Sequence, residues 1–190
     1  MKTLYPVILT VPPGFSELSM PQRVKGISKL SRETVHISAH LSHLKIREFK
    51  KSATGMPEPD NNVYWSVSHK PKLVCGVVSD KKIGIDIEEL RPQQASMFSY
   101  VAADEEWECI TGNRSKRSFI RCWSAKEAVL KAEGTGIVDL LKCRVIYDLG
   151  ESGMVLDYHG REWQVSHHYL NNHVAAIVVD ENQVIEWLLV

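Results

Sequence analysis

Two carboxylates lie close together in the short segment IGIDIEE, which begins at Ile83. Its alternating isoleucines predict a β-strand with the apolar side chains on one face. Asp86 and Glu88 then share the opposite face, with no basic residue between them. Carboxylates placed this way repel each other, and a divalent cation bound by both would offset that repulsion.

A third carboxylate lies in the helical segment SFIRCWSAKEAVLKAEGTG, where Glu127 is followed four residues later by Lys131. Residues at this spacing share a helix face, so one interpretation is a surface ion pair, worth about 0.5 kcal/mol or less. Together with Asp86 and Glu88, however, Glu127 completes a set of oxygen ligands of the kind that holds Mg²⁺. Lys131 would then lie beside the metal as a point charge for a phosphate. The set predicts metal-assisted phosphoryl transfer.

An internal repeat organises the chain around these residues. The pentapeptide WSVSH at Trp65 matches WQVSH at Trp163, and each is followed by a hydrophobic strand, an Asp turn and a final strand. Each copy predicts three consecutive antiparallel strands, preceded by helical segments. We therefore expect an α+β fold of two similar lobes, residues 1–98 and 99–190, each a helix plus a three-stranded antiparallel sheet. A pseudo-two-fold axis would relate the lobes, with the active site in the cleft between them.

The two copies differ in their acidic residues. The first ends in D-I-E, whereas the second ends in E-W-L and has Leu188 where the first has its second carboxylate. A strand that served only the structure would not need this difference. The acidic pair is therefore interpreted as functional.

Local signals predict the bounds of several elements. A first strand is expected at Leu4–Val11, before Pro12 and Pro13. An apolar stripe (Leu30, Ile37, Leu41 and Leu44) predicts a helix from about Ser31 to Phe49. Farther on, acidic residues open a short helix (Asp104, Glu105 and Glu106), and a longer helix is expected from Ser115 to about Glu133, ended by Gly134 and Gly136.

Composition excludes several classes of protein. The 190 residues contain 23 basic and 23 acidic side chains, whereas nucleic-acid binding needs a basic surface. Four scattered cysteines without a C-x-x-C pair are typical of reduced thiols in a cytoplasmic protein. No segment is long and apolar enough to span a membrane, so a soluble protein is expected.

The motif G-I-D-I-E, followed downstream by W-S-A-K-E-A-V-L-K, resembles the paired signature of the 4′-phosphopantetheinyl transferases. The chain length, the duplicated lobes and the upstream S-V-S-H resemble the larger, pseudo-dimeric surfactin-synthetase-activating type. The resemblance is clearest from about Gly55 to Gly136. It implies that the phosphopantetheine arm of coenzyme A (CoA) is transferred to a serine of an apo acyl or peptidyl carrier protein, releasing adenosine 3′,5′-bisphosphate. It also implies a monomer that uses Mg²⁺, with Mn²⁺ as an alternative.

The same resemblance assigns roles to individual residues. The metal ligands would be Asp86, Glu88 and Glu127. The catalytic residues would be Asp86, Glu127 and Lys131, with Glu127 as the base for the carrier serine, directly or through a water, and Lys131 at the pyrophosphate. CoA contacts would come from Ser68, His69, Lys126, Lys131, Gly55 and Pro57.

One departure from the family pattern concerns the CoA phosphates. The family often has Gly-Lys/Arg-Pro where this chain has Gly55-Met56-Pro57, so a basic residue is missing. The N-terminal region must then supply cations for the 3′-phosphate, and the candidates are Arg32 first, then Arg23, Lys25 and Lys29. His69 has a second interpretation, because its repeat mate His167 lacks an acidic site and both could simply hydrogen-bond a turn.

Other functions and partners stay open at this point. A Mg²⁺-dependent CoA or nucleotide pyrophosphohydrolase could use the same carboxylates, and a silent CoA- or carrier-binding module is an alternative from another class. Three arginines on one helix face predict either a docking patch for an acidic carrier or a solvated face: Arg114, Arg117 and Arg121. The sequence identifies neither the carrier, nor the preferred metal, nor the tolerance for acylated CoA.

Overall fold

The computed structural model describes residues 2–53, 55–111 and 114–190. These residues form four α-helices: α1 (Met20–Leu41), α2 (Ser96–Val101), α3 (Asp104–Cys109) and α4 (Lys116–Glu133). They also form eleven strands: β1 (Lys2–Leu4), β2 (Val7–Thr10), β3 (Tyr64–Lys70), β4 (Leu73–Ser79), β5 (Ile85–Glu89), β6 (Arg144–Asp148), β7 (Gly153–Tyr158), β8 (Arg161–Leu170), β9 (His173–Val179), β10 (Gln183–Ile185) and β11 (Leu188–Leu189). This combination confirms the predicted α+β class. Within the described residues, none of the helices has the length and hydrophobicity that a membrane-spanning segment requires.

The chain divides into two compact units, whose limits differ from those of the expected lobes. One unit comprises Met1–Ile85 and Asn182–Val190, and the other comprises Asp86–Glu181. Strand β5 lies next to β9, while β10 and β11 pair in parallel with β1 and β2. The last strand of each sequence repeat therefore pairs outside its own copy. Such long-range pairing cannot be read from a local pattern.

The first unit contains a four-stranded sheet with the order β11-β2-β4-β3, on which α1 packs. Every residue of β4 is buried. The helix approaches this strand most closely at Gly76, where a Cβ atom would lie 2.1 Å from Thr34 Oγ1. Only glycine fits such an approach. The Val78 N–H also donates to Ser38 Oγ at 3.1 Å, which fixes the helix on the strand.

Helix α1 begins and ends earlier than the predicted helix Ser31–Phe49, so the predicted bounds are wrong. Its start is marked by Gln22 Oε1, which accepts a hydrogen bond from the Ser19 N–H at 3.1 Å. Its end is followed by His43 in the left-handed region, with a φ of 54°. Leu44, taken from the predicted stripe, packs against the core beyond the end of the helix.

The N-terminal apolar run forms two short strands rather than the single strand Leu4–Val11. Tyr5 and Pro6 separate β1 from β2. Because Pro6 has no amide hydrogen, it cannot donate to a strand ladder. The two strands consequently take different partners, β10 for β1 and both β11 and β4 for β2.

The second unit contains a five-stranded sheet with the order β5-β9-β8-β7-β6, on which α4 packs. The sequence predicted a sheet of three strands, but this sheet has five. The repeat did not indicate β6 and β7, because both precede its second copy. The predicted bounds of α4 are confirmed. Ser115 Oγ accepts from the Ser118 N–H at 3.1 Å at the helix start, and Gly134 ends the helix with a φ of 80°.

Candidate active site

Strand β5 holds the two acidic residues in different surroundings. Ile85 and Ile87 are fully buried, and Asp86 between them is only 3% exposed. Glu88, one pleat farther along, is partly exposed. The strand is held at its end by the Leu90 N–H, which donates to the Asn172 carbonyl oxygen at 2.8 Å. The acidic side chains therefore project from a fixed backbone.

Helix α4 contacts both acidic residues. Lys131 Nζ lies 2.6 Å from Asp86 Oδ1, and Trp123 Nε1 donates to Glu88 Oε1 at 3.1 Å. Trp123 and Lys131 are two helical turns apart, and Glu127 lies midway between them in the sequence. Residues four apart share a helix face. The partly exposed Glu127 is therefore on the face that carries both contacts to the acidic strand.

An aromatic row fixes the orientation of Trp123. Its ring stacks on Phe119, with 6.3 Å between centroids and 11° between the ring planes. Phe119 in turn packs against Phe98, and Phe98 packs against Trp107. Trp107 Nε1 donates to the carbonyl oxygen of Phe98 at 3.1 Å. Because this row is anchored, the indole N–H that meets Glu88 is held in place.

The donor set of this site suits a hard divalent cation, since Asp86, Glu88 and Glu127 all offer carboxylate oxygens. Among the residues that the structure describes, no three His, Cys, Asp or Glu side chains converge as a ready metal cluster. Asp86 is paired with Lys131 instead. The residues fit Mg²⁺ by their chemistry, and the ammonium of Lys131 contacts one of the two carboxylate oxygens of Asp86.

Lys126 is not placed to contact CoA, so its predicted role is wrong. Its side chain is fully buried, and Nζ lies 2.8 Å from Glu106 Oε2 and donates to the Val101 carbonyl oxygen at 2.8 Å. Glu106 also accepts hydrogen bonds from the backbone N–H groups of Ala103 and Val145. Sequence reasoning missed this network. A helical projection would have indicated the burial of Lys126, though not its partner, because Lys126 lies on the same face as apolar residues of α4: Phe119, Cys122, Val129 and Leu130.

A separate cavity in the first unit contains two of the predicted CoA contacts. Its volume is about 1040 Å³, and Arg32 and His69 both line it. Arg23 lines it too, but its guanidinium donates to the carbonyl oxygens of Phe15 and Ser16. Lys25 and Lys29 are not among the lining residues. Three further lysines that sequence reasoning did not select complete the cationic lining: Lys51, Lys70 and Lys72.

The remaining predicted CoA contacts are not among the residues that line this cavity. Ser68 is buried in β3, where it points away from the face that carries His69. Gly55 adopts a φ of 83°, which favours glycine. Pro57 forms an isolated antiparallel bridge with Lys51. This bridge brings the Gly55–Pro57 segment beside a lysine of the cavity.

The three arginines expected to form a docking patch or a solvated face have carboxylate partners. Arg121 is 2% exposed and pairs with Asp148, so it belongs to neither alternative. Burial alone would raise the pKa of Asp148, but hydrogen bonds from Arg121 and from Thr111 outweigh burial and hold that pKa below its usual value. The other two pairs are more exposed: Arg117 with Glu151, and Arg114 with Asp104.

The repeat mates His69 and His167 have different environments. His69 is exposed and lines the cavity. His167 is buried, with Nε2 3.1 Å from the Arg121 carbonyl oxygen. Burial lowers the pKa of His167 to about 4, so this side chain is neutral at pH 7. The structural interpretation therefore applies to His167.

Comparison with known proteins identifies the family of this chain. Residues 82–178, just over half of the chain, match the family model of the 4′-phosphopantetheinyl transferase superfamily. Three similar proteins carry that activity in their names: psf-1 of Bacillus pumilus is 35% identical over 77 residues, HetI of a Nostoc species 33% over 87, and ffp of Bacillus subtilis 27% over 113. These alignments cover 39%, 43% and 57% of this chain, and 33%, 37% and 50% of the relatives. The chain thus spans between a third and a half of the length of these relatives. The chain belongs to the 4′-phosphopantetheinyl transferase superfamily.

Proposed function

We propose that this protein transfers the 4′-phosphopantetheine arm of CoA to a serine hydroxyl of an apo acyl or peptidyl carrier protein. The observation that carries the proposal is the position of Glu127 on α4, between Trp123, which binds Glu88, and Lys131, which binds Asp86. The three carboxylates and the lysine of the family signature are thereby associated with one strand and one helix face. Membership in the superfamily supports phosphopantetheine transfer as the reaction of this set.

The reaction is a displacement at phosphorus. The serine oxygen forms a bond to the phosphorus that carries pantetheine, and the bond from that phosphorus to the bridging oxygen breaks. Glu127 accepts the serine proton, and adenosine 3′,5′-bisphosphate leaves with the bridging oxygen. Lys131 would stabilise charge on the leaving phosphate. Asp86, Glu88 and Glu127 would hold Mg²⁺, or Mn²⁺ as an alternative, and the bound metal would neutralise pyrophosphate charge.

The cavity of the first unit is the proposed site for the 3′-phosphate of CoA. Arg32 and His69 are the donors expected from the sequence, and both line this cavity. Lys51 forms a bridge with Pro57, and we infer that it supplies the cation that Gly55-Met56-Pro57 lacks. Clustered cations of this kind bind phosphates through charge-assisted hydrogen bonds.

We further infer a monomeric enzyme of the cytoplasm. The four cysteines, all within the described residues, are not joined in disulfides, which suits a reducing compartment. Burial raises the pKa of the Cys122 and Cys143 thiols to about 12, so neither is a nucleophile at neutral pH.

Intact-mass spectrometry tests the proposal. Several purified apo carrier proteins are incubated with this protein, CoA and Mg²⁺, with and without EDTA. We expect at least one carrier to gain the mass of phosphopantetheine, and EDTA to prevent the gain. Cleavage of CoA without any carrier modification would support the pyrophosphohydrolase instead. Unmodified carriers with intact CoA, across carriers for fatty acids, polyketides and nonribosomal peptides, would support the silent binding module.

A further inference from the structure

The contact between Lys131 and Asp86 affects how a divalent metal and CoA bind at this site. Lys131 Nζ lies 2.6 Å from Asp86 Oδ1, and the side chains are 23% and 5% exposed. Both groups have other partners in the proposed reaction, since Asp86 would bind the metal and Lys131 the pyrophosphate. In the free protein, each group therefore neutralises the other instead of contacting its partner in the reaction.

We propose that Lys131 is an exchangeable cation that holds Asp86 in the free protein and moves to the CoA pyrophosphate when a divalent metal binds Asp86. This proposal rests on the proposed function, because it takes its two final partners from that reaction. The exchange also couples the affinity for the metal to the affinity for CoA. CoA strengthens metal binding because it receives the displaced ammonium group, and metal strengthens CoA binding by the same factor.

The charges at the site explain why the exchange is needed. A divalent cation and an ammonium group that both contact one nearly buried carboxylate would repel each other strongly, because the local dielectric constant is low. Without CoA, the metal must compete with the ammonium of Lys131 for Asp86. With CoA, the pyrophosphate compensates the released ammonium, and the competition disappears.

The exposure and the length of the Lys131 side chain allow this movement. Its side chain is partly exposed, and a lysine has a flexible four-carbon stem that can redirect its charge without moving the helix. Lys131 also lies in the last turn of α4, three residues before the helix ends at Gly134. Lys126 on the same helix lacks this freedom, because its side chain is fully buried.

Mn²⁺ binding, measured by electron paramagnetic resonance, tests the exchange without any carrier and therefore without turnover. In the wild-type protein we expect CoA to tighten Mn²⁺ binding about tenfold or more. In Lys131→Met we expect Mn²⁺ to bind about tenfold more tightly than in wild type when CoA is absent, because its competitor is gone. The effect of CoA on Mn²⁺ affinity should shrink by the same factor.

A matched control removes a different lysine of the second unit. Lys142 pairs with Asp139 at 2.7 Å and is well exposed, so Lys142→Met makes the same change in net charge away from the site. It should retain the wild-type Mn²⁺ affinities with and without CoA. An equal gain in Lys142→Met would mean that net charge alone causes the effect, and would overturn the exchange.

Two outcomes separate failure of the exchange from failure of the proposed function. Mn²⁺ binding to Lys131→Met that is no tighter than in wild type, without CoA, would overturn the exchange; Lys131→Gln provides the same test if the methionine variant does not fold. Mn²⁺ binding that persists unchanged in Asp86→Asn would show that the metal lies elsewhere. That result would refute the proposed metal site as well as the exchange.

Discussion

Helix α4 carries two lysines that each pair with a carboxylate, at 2.8 Å for Lys126 with Glu106 and 2.6 Å for Lys131 with Asp86. The two pairs differ in their surroundings. Lys126 is fully buried and also donates to a backbone carbonyl, while Glu106 accepts from two backbone N–H groups. Lys131 is partly exposed. A similar ion-pair distance is thus compatible with a fixed structural pair and with an exchangeable one.

This difference identifies which pair can take part in chemistry. A buried pair whose remaining polar atoms are also bonded is costly to open, because each group would be left charged in an apolar environment. A pair with one partly exposed partner can open with water or a ligand replacing the lost contact. Lys126 therefore stabilises the packing of α4, whereas Lys131 can bind a phosphate.

The largest effect is expected from Lys126→Met. Removing one partner leaves Glu106 buried and charged, which should lower the free energy of unfolding by about 3–5 kcal/mol. Urea denaturation followed by circular dichroism measures this change. Lys142→Met, which removes an exposed lysine, should stay near wild type. A stable Lys126→Met protein with normal fold but weakened CoA binding would restore the cofactor role that we reject.

Asp86→Asn should lower the transferase activity much more than the stability. The variant removes the charge that the metal needs, so transfer to a carrier should fall by about 10²–10³-fold. Its free energy of unfolding should change by much less than that of Lys126→Met, because the freed Lys131 can reach solvent. Carrier modification by mass spectrometry and urea denaturation give the two values. Loss of folding in Asp86→Asn would assign Asp86 a structural role.

The same two lysines show what the sequence could predict. The bounds of α4 were predictable because Ser115 and Gly134 act on their immediate neighbours. The pairing of Asp86 with Lys131 was only partly predictable, since the motif named both residues but not their contact. The role of Lys126 was missed because its partner Glu106 lies on another helix, and the motif drew attention away from the apolar residues around it.

The sheets were less predictable than the helices. The repeat correctly indicated β3, β4 and β5, yet β5 pairs with β9, and β10 pairs with β1. Hydrophobic alternation identifies a strand but does not choose its neighbour, because many registers bury the same face. The burial of Arg121 was missed for a related reason, because its partner Asp148 lies far along the chain.

His167 should make the stability of the protein depend on pH. Burial lowers the pKa of His167 to about 4, whereas an unfolded histidine titrates near 6.5. Between these values the unfolded chain binds a proton that the folded chain does not. The stability contribution is therefore complete above pH 6.5 and falls as the pH drops towards 4, by up to about 1.4 kcal/mol for each pH unit.

His167→Gln should flatten this dependence, because glutamine can still donate to the Arg121 carbonyl but does not titrate. Urea denaturation at several pH values between 4.5 and 7.5 measures the slope. If the variant keeps the wild-type slope, His167 is not the group that titrates in this range.

Trp123→Phe tests how the metal site is oriented. Phenylalanine keeps the aromatic row but removes the N–H that donates to Glu88, so Mn²⁺ affinity should fall by about 10- to 100-fold. The matched control is Trp107→Phe, which removes a buried indole donor to backbone carbonyls. It should lower stability and leave Mn²⁺ affinity unchanged. Equal losses of Mn²⁺ affinity would mean that general packing, not the bond to Glu88, is responsible.

The smallest effect is expected from Arg114→Ala. Arg114 pairs with Asp104, and both side chains are well exposed, so the free energy of unfolding should change by less than about 1 kcal/mol. Because this guanidinium already has a carboxylate partner, its loss should also leave the KM for the carrier near its wild-type value. Steady-state kinetics with a carrier identified by mass spectrometry measures that constant. A rise in KM that high salt abolishes would show that Arg114 leaves Asp104 to bind the carrier, and its ion pair would then be exchangeable like that of Lys131.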